Sequence, residues 1–188
     1  MTVLYAGTDT ETTGVPHGDH RIIEIGIGLW KPGNLKPVFW YEQRIDPQRS
    51  IAAEAQRVHG ISHSDLIGKP IWTTVAPVVQ KVLAKATHYV WHNGDEFDGP
   101  FLEYELKREG LALPKRPSID TMSKALWATP DGKKPKLAEL CFACGVDYDK
   151  AKAHGAGYDI QVMMECFFKA QSWGFFEDPA AEQVNEAA

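Results

Sequence analysis

The stretch Ile22-Ile-Glu-Ile-Gly-Ile-Gly-Leu-Trp30 is rich in β-branched and apolar residues, and it predicts a strand. A second β-rich stretch follows it, Val38-Phe-Trp-Tyr-Glu-Gln-Arg-Ile45, and the turn residues Lys31-Pro-Gly-Asn34 lie between the two. The two stretches therefore predict a hairpin. Upstream of it, the short apolar run Val3-Leu-Tyr-Ala6 is typical of a strand that is buried on both faces.

Helices and strands are predicted to alternate downstream of the hairpin. Short strands are expected at 88–91 and 118–119, and helices are expected over 50–58, 73–85, 95–108, 123–127, 136–144 and 157–172. Strands followed by such an alternation predict an α/β domain with one mixed sheet. We expect this domain to span residues 1–176 and residues 177–188 to form a flexible C-terminal tail.

Composition excludes several classes of protein and leaves nucleic acid open as a substrate. The 188 residues carry no apolar run near the roughly 18 that a membrane helix needs. Three cysteines and no signal-peptide pattern predict a cytoplasmic protein without a disulfide scaffold. The net charge of −5 argues weakly against phosphate binding, but a divalent cation held by carboxylates reverses that expectation.

Asp9-Thr-Glu11 lies where the first strand is expected to end. Because side chains alternate along a strand, both carboxylates point to the same side. Such a pair repels itself unless a positive charge lies between its members, and hard divalent cations prefer oxygen ligands. A solvated acidic pair at a polar strand end explains the same pattern, so this motif alone leaves both interpretations open.

Two further acids and a histidine lie near predicted helix starts. Asp98 falls in the first turn of helix 95–108 beside the apolar Phe97, and Asp159 opens the last helix. An acid at a helix N-terminus also complements the macrodipole and needs no metal. His154 lies in the Gly-rich loop before Asp159; an imidazole accepts a proton near neutral pH, although a surface histidine in a loop is the simpler interpretation.

The order and local context of these five residues resemble the DnaQ-like, or DEDDh, 3′→5′ exonucleases. Asp9-Thr-Glu-Thr-Thr-Gly14 resembles the first motif of that family, Phe97-Asp-Gly-Pro-Phe-Leu102 the second, and His154-Gly-Ala-Gly-Tyr-Asp159 the third in its histidine form. Supporting segments are similar too, namely Ile23-Glu-Ile-Gly26, Val58-His-Gly-Ile-Ser62 and Leu137-Ala-Glu-Leu140. The resemblance covers residues 3–170.

The resemblance implies a ribonuclease-H-like fold, with a central five-stranded mixed β-sheet flanked by α-helices. It also implies a hydrolase that cleaves phosphodiester bonds from the 3′ end of nucleic acid by a two-metal-ion mechanism and releases nucleoside 5′-monophosphates. Two Mg²⁺ ions, or Mn²⁺ in their place, are the implied cofactors. The implied metal ligands are Asp9, Glu11, Asp98 and Asp159, and His154 is the implied general base.

The resemblance also implies contacts to the substrate. By resemblance, Thr12 is expected to meet the terminal nucleotide, with Val15 and His59 as neighbouring contacts, although packing or turn roles explain the same residues. A basic groove is one interpretation of five lysines, and a solvated face is the other; they are Lys133, Lys134, Lys136, Lys150 and Lys152.

The second motif carries one more residue than the His-Asn-x-x-Phe-Asp form common in the family. The longer form, His92-Asn-Gly-Asp-Glu-Phe-Asp98, resembles the three-prime repair exonuclease branch. DNA with a free 3′ end, favoured single-stranded, is the expected substrate, with an exoribonuclease or oligoribonuclease as the alternative. A non-catalytic nucleic-acid-binding domain would be expected to lack one of the five residues, and all are present. A polymerase or a second copy of the chain stays open as protein partner.

Overall fold

A five-stranded mixed sheet forms the centre of the computed structural model, which describes residues 2–181. The strand order is β3-β2-β1-β4-β5. Strands β1 to β3 pair antiparallel, whereas β4 and β5 run parallel to β1. The strands are β1 (Tyr5–Thr12), β2 (Ile22–Trp30), β3 (Phe39–Arg44), β4 (His88–Trp91) and β5 (Ser118–Asp120). The predicted α/β domain with one mixed sheet is confirmed.

Helices cover both faces of this sheet. They are α1 (Ala53–His59), α2 (His63–Leu66), α3 (Trp72–Leu83), α4 (Asp98–Arg108), α5 (Leu137–Cys144) and α6 (Ala156–Ser172), with a 3₁₀ turn at Leu126–Ala128. One core lies between the sheet and α5 and α6, and the other between the sheet and α3 and α4. Tyr5 belongs to the first core and Ala6 to the second, as alternation along a strand requires. Within residues 2–181, no helix has the length and apolar character to cross a membrane.

Glycines in β1 and β2 let α6 lie close to the sheet. A Cβ atom at Gly26 would stand only 2.5 Å from Cδ1 of Ile160, and one at Gly7 would stand 2.9 Å from Cγ of Met164. Any larger residue at these two positions would push α6 outward. Because Asp159 precedes Ile160, the same close approach holds that carboxylate over the end of β1.

Strand β1 is longer than the sequence pattern predicted. It continues through Thr12, so Asp9 and Glu11 lie within the strand and not after it. The backbone groups of the polar residues at its end pair with β2. The residue pattern of one strand does not reveal these partners. Strand β2 has the predicted bounds, and β3 is one residue shorter at each end.

Three helix predictions need correction. The helix predicted from Ser50 begins at Ala53, and the helix predicted from Asp95 begins at Asp98. Asp95 does not cap α4, because its carboxylate accepts hydrogen bonds from Trp91 Nε1 and Ser118 Oγ. These tertiary partners outcompete the local helix signal.

The helix predicted to end near Trp127 is replaced by a turn and the 3₁₀ segment. The Asp120 carboxylate accepts backbone N–H groups from both sides, including those of Asn93, Asp95, Met122 and Ser123. A side chain that satisfies a turn in this way removes the need for a helix.

Residues at the end of the described chain make defined contacts. Lys124 Nζ lies 2.6 Å from Glu177 Oε1, Gln171 Nε2 donates to the Glu177 carbonyl, and Ala180 packs against the core beside α6. Residues 182–188 lie outside the described residues, so the flexible tail stays a prediction for that part of the sequence.

Candidate active site

Strand β1 places Asp9 and Glu11 on the face that α6 covers. Asp9 lies opposite Gly26 and Glu11 lies opposite Glu24 in the ladder with β2, and the register shifts directly after Glu11. A shift of this kind turns the strand end and re-aims its side chains. Two residues apart, the carboxylates share one side of the strand, as the sequence predicted.

Asp98 reaches the same strand end from α4. Its Oδ1 accepts a hydrogen bond of 2.6 Å from Thr10 Oγ1, and the residue is 3% exposed. Strand β4 is short and pairs only with residues 5–7 of β1, so the chain after β4 turns beside the free end of β1. The topology thereby brings residues 88 positions apart in sequence into contact.

Asp159 and His154 come from the start of α6 and the loop before it. The His154 backbone N–H donates to Asp159 Oδ2 at 3.0 Å. His154 has a left-handed backbone with φ of 62°, and it is exposed, whereas Asp159 is buried. Oδ1 of Asp159 is buried and has no hydrogen-bond partner among residues 2–181. The loop is therefore tied to the carboxylate while the imidazole faces solvent.

Burial and neighbouring acids raise the pKa of Asp9 and Glu11, and burial raises that of Asp98 and Asp159. Burial, followed by the charges of Asp98, Glu11 and Asp159, holds the pKa of Asp9 well above its ordinary value. Burial together with Glu24 and Asp159 raises the pKa of Glu11 to about 9, and burial raises the pKa of Asp98 to about 6. The four site acids also lack ion pairs with Lys, Arg or His side chains within the described part of the chain.

These residues fit a divalent cation by charge and by donor type. Among residues 2–181, no three His, Cys, Asp or Glu side chains converge as a finished metal site. The demand for a cation comes from four neighbouring carboxylates without a positive partner and from the unsatisfied Oδ1 of Asp159. An all-oxygen set suits a hard cation such as Mg²⁺ or Mn²⁺ better than a soft one.

Glu24 is a buried acid of this region to which the sequence assigned no role. It is 3% exposed; its Oε1 accepts from Arg44 Nε at 2.8 Å and its Oε2 accepts from the Ala156 backbone N–H at 3.2 Å. Glu24 therefore joins β2, β3 and the first residue of α6. The signal was present in Ile23-Glu-Ile-Gly26, a charge inside an otherwise apolar strand, but its partners are 20 and 132 residues away.

A cavity of about 570 Å³ opens over this cluster. Asp9, Asp159 and His154 line one part of it, and the rest of the lining includes His92, Tyr148, Lys136 and Lys150. The pKa of His92 is lowered to about 4 by burial, so its ring is neutral at working pH, and burial raises the pKa of Tyr148 to about 12. The cavity is therefore lined by carboxylates, by a neutral imidazole and a phenol, and by two lysine ammonium groups.

The structure brings Thr12 and His59 together beside the cluster. The Ile61 N–H donates to His59 Nδ1 at 3.0 Å, so His59 Nε2 carries the proton and donates to the Thr12 carbonyl at 3.2 Å. Val15 is 69% exposed and, with Val58, lines a second cavity of about 350 Å³. Thr12 and His59 thus contact each other beside Glu11, whereas Val15 lines a separate cavity, and the substrate role of all three stays a proposal.

The sequence model of the RNase_T exonuclease family matches residues 7–167. The chain belongs to this family. The predicted 3′→5′ exonuclease activity and the predicted DnaQ-like family are thereby confirmed. Exonucleases of the RNase_T family generally depend on a divalent metal.

Curated relatives of this RNase_T exonuclease are DNA polymerase III subunits. The chain is 35% identical over 164 residues to DNA polymerase III subunit epsilon of Rickettsia typhi, which covers 85% of this chain and 70% of that protein. With the Escherichia coli subunit epsilon it shares 31% identity over 172 residues, covering 85% of this chain and 68% of that protein. The likeness of the second motif to the three-prime repair branch stays a prediction.

Solved structures of exonuclease I share the fold of this RNase_T exonuclease. The zinc-bound Escherichia coli exonuclease I complex with single-stranded DNA superposes with a TM-score of 0.78 at 15% identity, over 92% of this chain. The chain spans 41% of the length of that protein. This likeness confirms the predicted ribonuclease-H-like fold.

Proposed function

We propose that this exonuclease removes nucleotides one at a time from the 3′ end of DNA, preferably single-stranded, with two bound Mg²⁺ ions. The observation that carries the proposal is the group of four carboxylates that form no ion pair within residues 2–181, beside a cavity that Asp9, Asp159 and His154 line. Phosphate is an anion, and such a cluster attracts it only through cations that the carboxylates bind first.

Four acids hold the ions in this proposal. Asp9 lies at the centre of the group, since its pKa responds to each of Asp98, Glu11 and Asp159. Divalent cations held there would lower the pKa of water and would stabilise charge on the attacking and leaving oxygens. The Thr10 hydroxyl holds the Asp98 carboxylate in place through its short hydrogen bond.

His154 takes the proton from the attacking water. Its backbone N–H is fixed to Asp159, so the imidazole is carried by a loop that is tied to one of the acids. The exposed ring can release the proton to solvent after the reaction, and histidine is the side chain that most often serves as a general base.

The 3′ terminus is read at the end of β1. There Thr12 supplies backbone groups, His59 orders the Thr12 carbonyl, and the exposed Val15 offers an apolar surface to the last base. A duplex end would have to open before its last base reached such a surface. Support for single-stranded DNA also comes from exonuclease I, whose structure was solved with single-stranded DNA.

The experiment follows 5′-labelled single-stranded DNA, duplex DNA and RNA of matched sequence, each with Mg²⁺ and with EDTA. We expect a ladder that shortens from the 3′ end of single-stranded DNA only with Mg²⁺, and that is lost in His154→Ala. Faster shortening of RNA would establish the exoribonuclease alternative. Absence of cleavage with either Mg²⁺ or Mn²⁺ would contradict the proposal.

A role beside a DNA polymerase is part of the proposal, because the curated relatives are polymerase subunits. Such a role predicts preference for a mispaired primer end, since a frayed terminus reaches the site as a single strand. The measurement compares degradation of primers that end in a matched or a mismatched base on the same template. Equal rates on both ends would contradict this role.

A further inference from the structure

The five lysines that suggested a groove fall into two classes in the structure. Three of them are neutralised by neighbouring carboxylates: Lys133 with Glu139 at 3.2 Å, Lys134 with Glu96 at 2.7 Å, and Lys152 with Asp149 at 3.5 Å. Lys136 and Lys150 form no ion pair with any residue in the range 2–181. The backbone hydrogen bond and the charge of Lys136 lower the pKa of Glu139, but Glu139 forms its ion pair with Lys133.

The two unpaired lysines are also the two that line the active-site cavity. Lys136 precedes α5, and Lys150 lies in the loop before α6, so two separate segments contribute them. Both residues are exposed, whereas Asp159 at the same cavity is buried and Asp9 is partly buried. The acids therefore form the floor of the cavity and the lysines form its rim.

This separation assigns different phosphates to the two ends of the cavity. A phosphate at the acidic floor meets cations that the carboxylates hold, and it is the one that is cleaved. The rim lysines do not reach the floor acids, because no ion pair joins them within the described residues. Their ammonium groups are left for phosphates of the strand that leads out of the cavity.

We propose that Lys136 and Lys150 form a rim phosphate subsite, which binds a phosphodiester of the substrate strand upstream of the scissile bond. The inference rests on the proposed function. It adds to that function a contact with the part of the strand that remains after each cleavage. The subsite contributes to KM and not to the chemical step, because neither lysine lies at the reacting atoms. The subsite also explains how a protein with a net negative charge binds a polyanion. The two unpaired lysines face the strand, and the paired lysines do not.

The test measures KM and kcat of the full chain with single-stranded DNA in which one linkage is a neutral methylphosphonate. The neutral linkage is placed singly at the first, second or third position upstream of the scissile bond. With the wild-type protein, we expect one of these positions to raise KM several-fold. In the double variant Lys136→Ala/Lys150→Ala, KM for unmodified DNA should rise about tenfold, and the neutral linkage should add little further.

Matched controls come from the paired lysines nearby. Lys134→Ala and Lys152→Ala each remove one positive charge two residues from a rim lysine, and KM should change less than twofold. The slope of log KM against log salt should fall by roughly 0.7 for each rim lysine removed, and not for the controls. The charge-preserving variant Lys136→Arg should keep most of the affinity.

Two outcomes would overturn the inference. One is a double variant whose KM and salt dependence match those of the wild type. The other is a methylphosphonate penalty that is equally large in the wild type and the double variant. Either result would leave the proposed function intact if the wild-type ladder and the loss in His154→Ala are still seen, so the two failures are distinguishable.

Discussion

Glu105 is a buried carboxylate and Asp9 is a partly buried one, and their surroundings differ in charge. Glu105 in α4 is fully buried; Arg108 Nη1 lies 2.9 and 3.0 Å from its two oxygens, and Arg21 Nη1 lies 3.7 Å away. Burial raises the pKa of Glu105 and the two arginines lower it. Around Asp9, every neighbouring charge that affects its pKa is another carboxylate.

The contrast separates a carboxylate that stabilises the fold from one that binds a ligand. A buried charge costs free energy unless it is paired, and the protein supplies the pair for Glu105. Under the proposed function, the partner of Asp9 is a cation that the site binds. Glu24 lies between the two cases, because Arg44 neutralises it while it still raises the pKa of Glu11 across the strand pair.

The largest effect is expected from a site acid. Asp159→Asn should lower kcat about 10³-fold or more, because it removes a charged ligand from the reacting centre. Its melting temperature should be unchanged or higher, since one of several repelling charges is gone. Nuclease assays with Mg²⁺ and thermal unfolding in EDTA measure the two quantities.

Glu165→Gln is the matched control in the same helix, because Glu165 pairs with Lys169 and lies away from the cavity lining. It should keep full activity. Full activity of Asp159→Asn itself would remove Asp159 from the metal ligands.

A smaller effect, on stability alone, is expected when Glu105 loses its partner. Arg108→Ala leaves a buried carboxylate with only the more distant Arg21, and the free energy of unfolding should fall by about 2 kcal/mol. Urea unfolding measures this change, and kcat of the folded protein should stay the same.

Arg57→Ala tests whether an ion pair as such carries this stability. Arg57 and Glu54 are 2.9 Å apart but strongly exposed, so the loss should stay within about 0.5 kcal/mol. Equal losses in the two variants would show that burial does not set the value of these pairs. A large loss of kcat in Arg108→Ala would contradict the division between fold and site.

The sequence predicted the site acids better than it predicted their surroundings. Asp9, Glu11, Asp98 and Asp159 lie in short ordered motifs, and the resemblance of these motifs to the DnaQ-like exonucleases predicted them together as metal ligands, a role that stays a prediction. The bounds of β2 followed from its run of β-branched residues. Such signals are local, and a single sequence carries them completely.

Long-range partners could not be predicted in the same way. The start of α4 depends on Asp95 bonding to Trp91 and Ser118, and the role of Glu24 depends on Arg44 and Ala156. Likewise, whether a lysine is free or paired depends on acids that the fold brings near it. Composition gave five candidate groove lysines, and only the tertiary structure divides them.

The smallest effect is a pH dependence of stability that the metal should suppress. The pKa of Glu11 is about 9 in the folded protein against an ordinary 4.5, so between these values the folded state holds a proton that the unfolded chain has lost. Stability of the metal-free protein should therefore fall as pH rises toward 9, the sign opposite to that of a salt-bridged acid. We expect a loss of about 2 kcal/mol between pH 7.5 and 9 in EDTA.

Urea unfolding in EDTA and in Mg²⁺ measures this dependence. The series starts at pH 7.5 because the pKa values of His59 and His92 are lowered, so both rings are neutral above that pH. The pKa of the Cys166 thiol is raised by its hydrogen bond with Cys141, and the pKa of Cys144 is lowered by its hydrogen bond with Cys166, so these thiols also contribute to the pH dependence. Glu11→Gln keeps them, so the difference between wild type and variant isolates the carboxylate. In Mg²⁺ the wild-type loss should shrink, because cation binding displaces the proton and grows stronger with pH. A wild-type protein that loses no more stability than Glu11→Gln in EDTA would mean that Glu11 is already compensated, and the contrast with Glu105 would then fail at that residue.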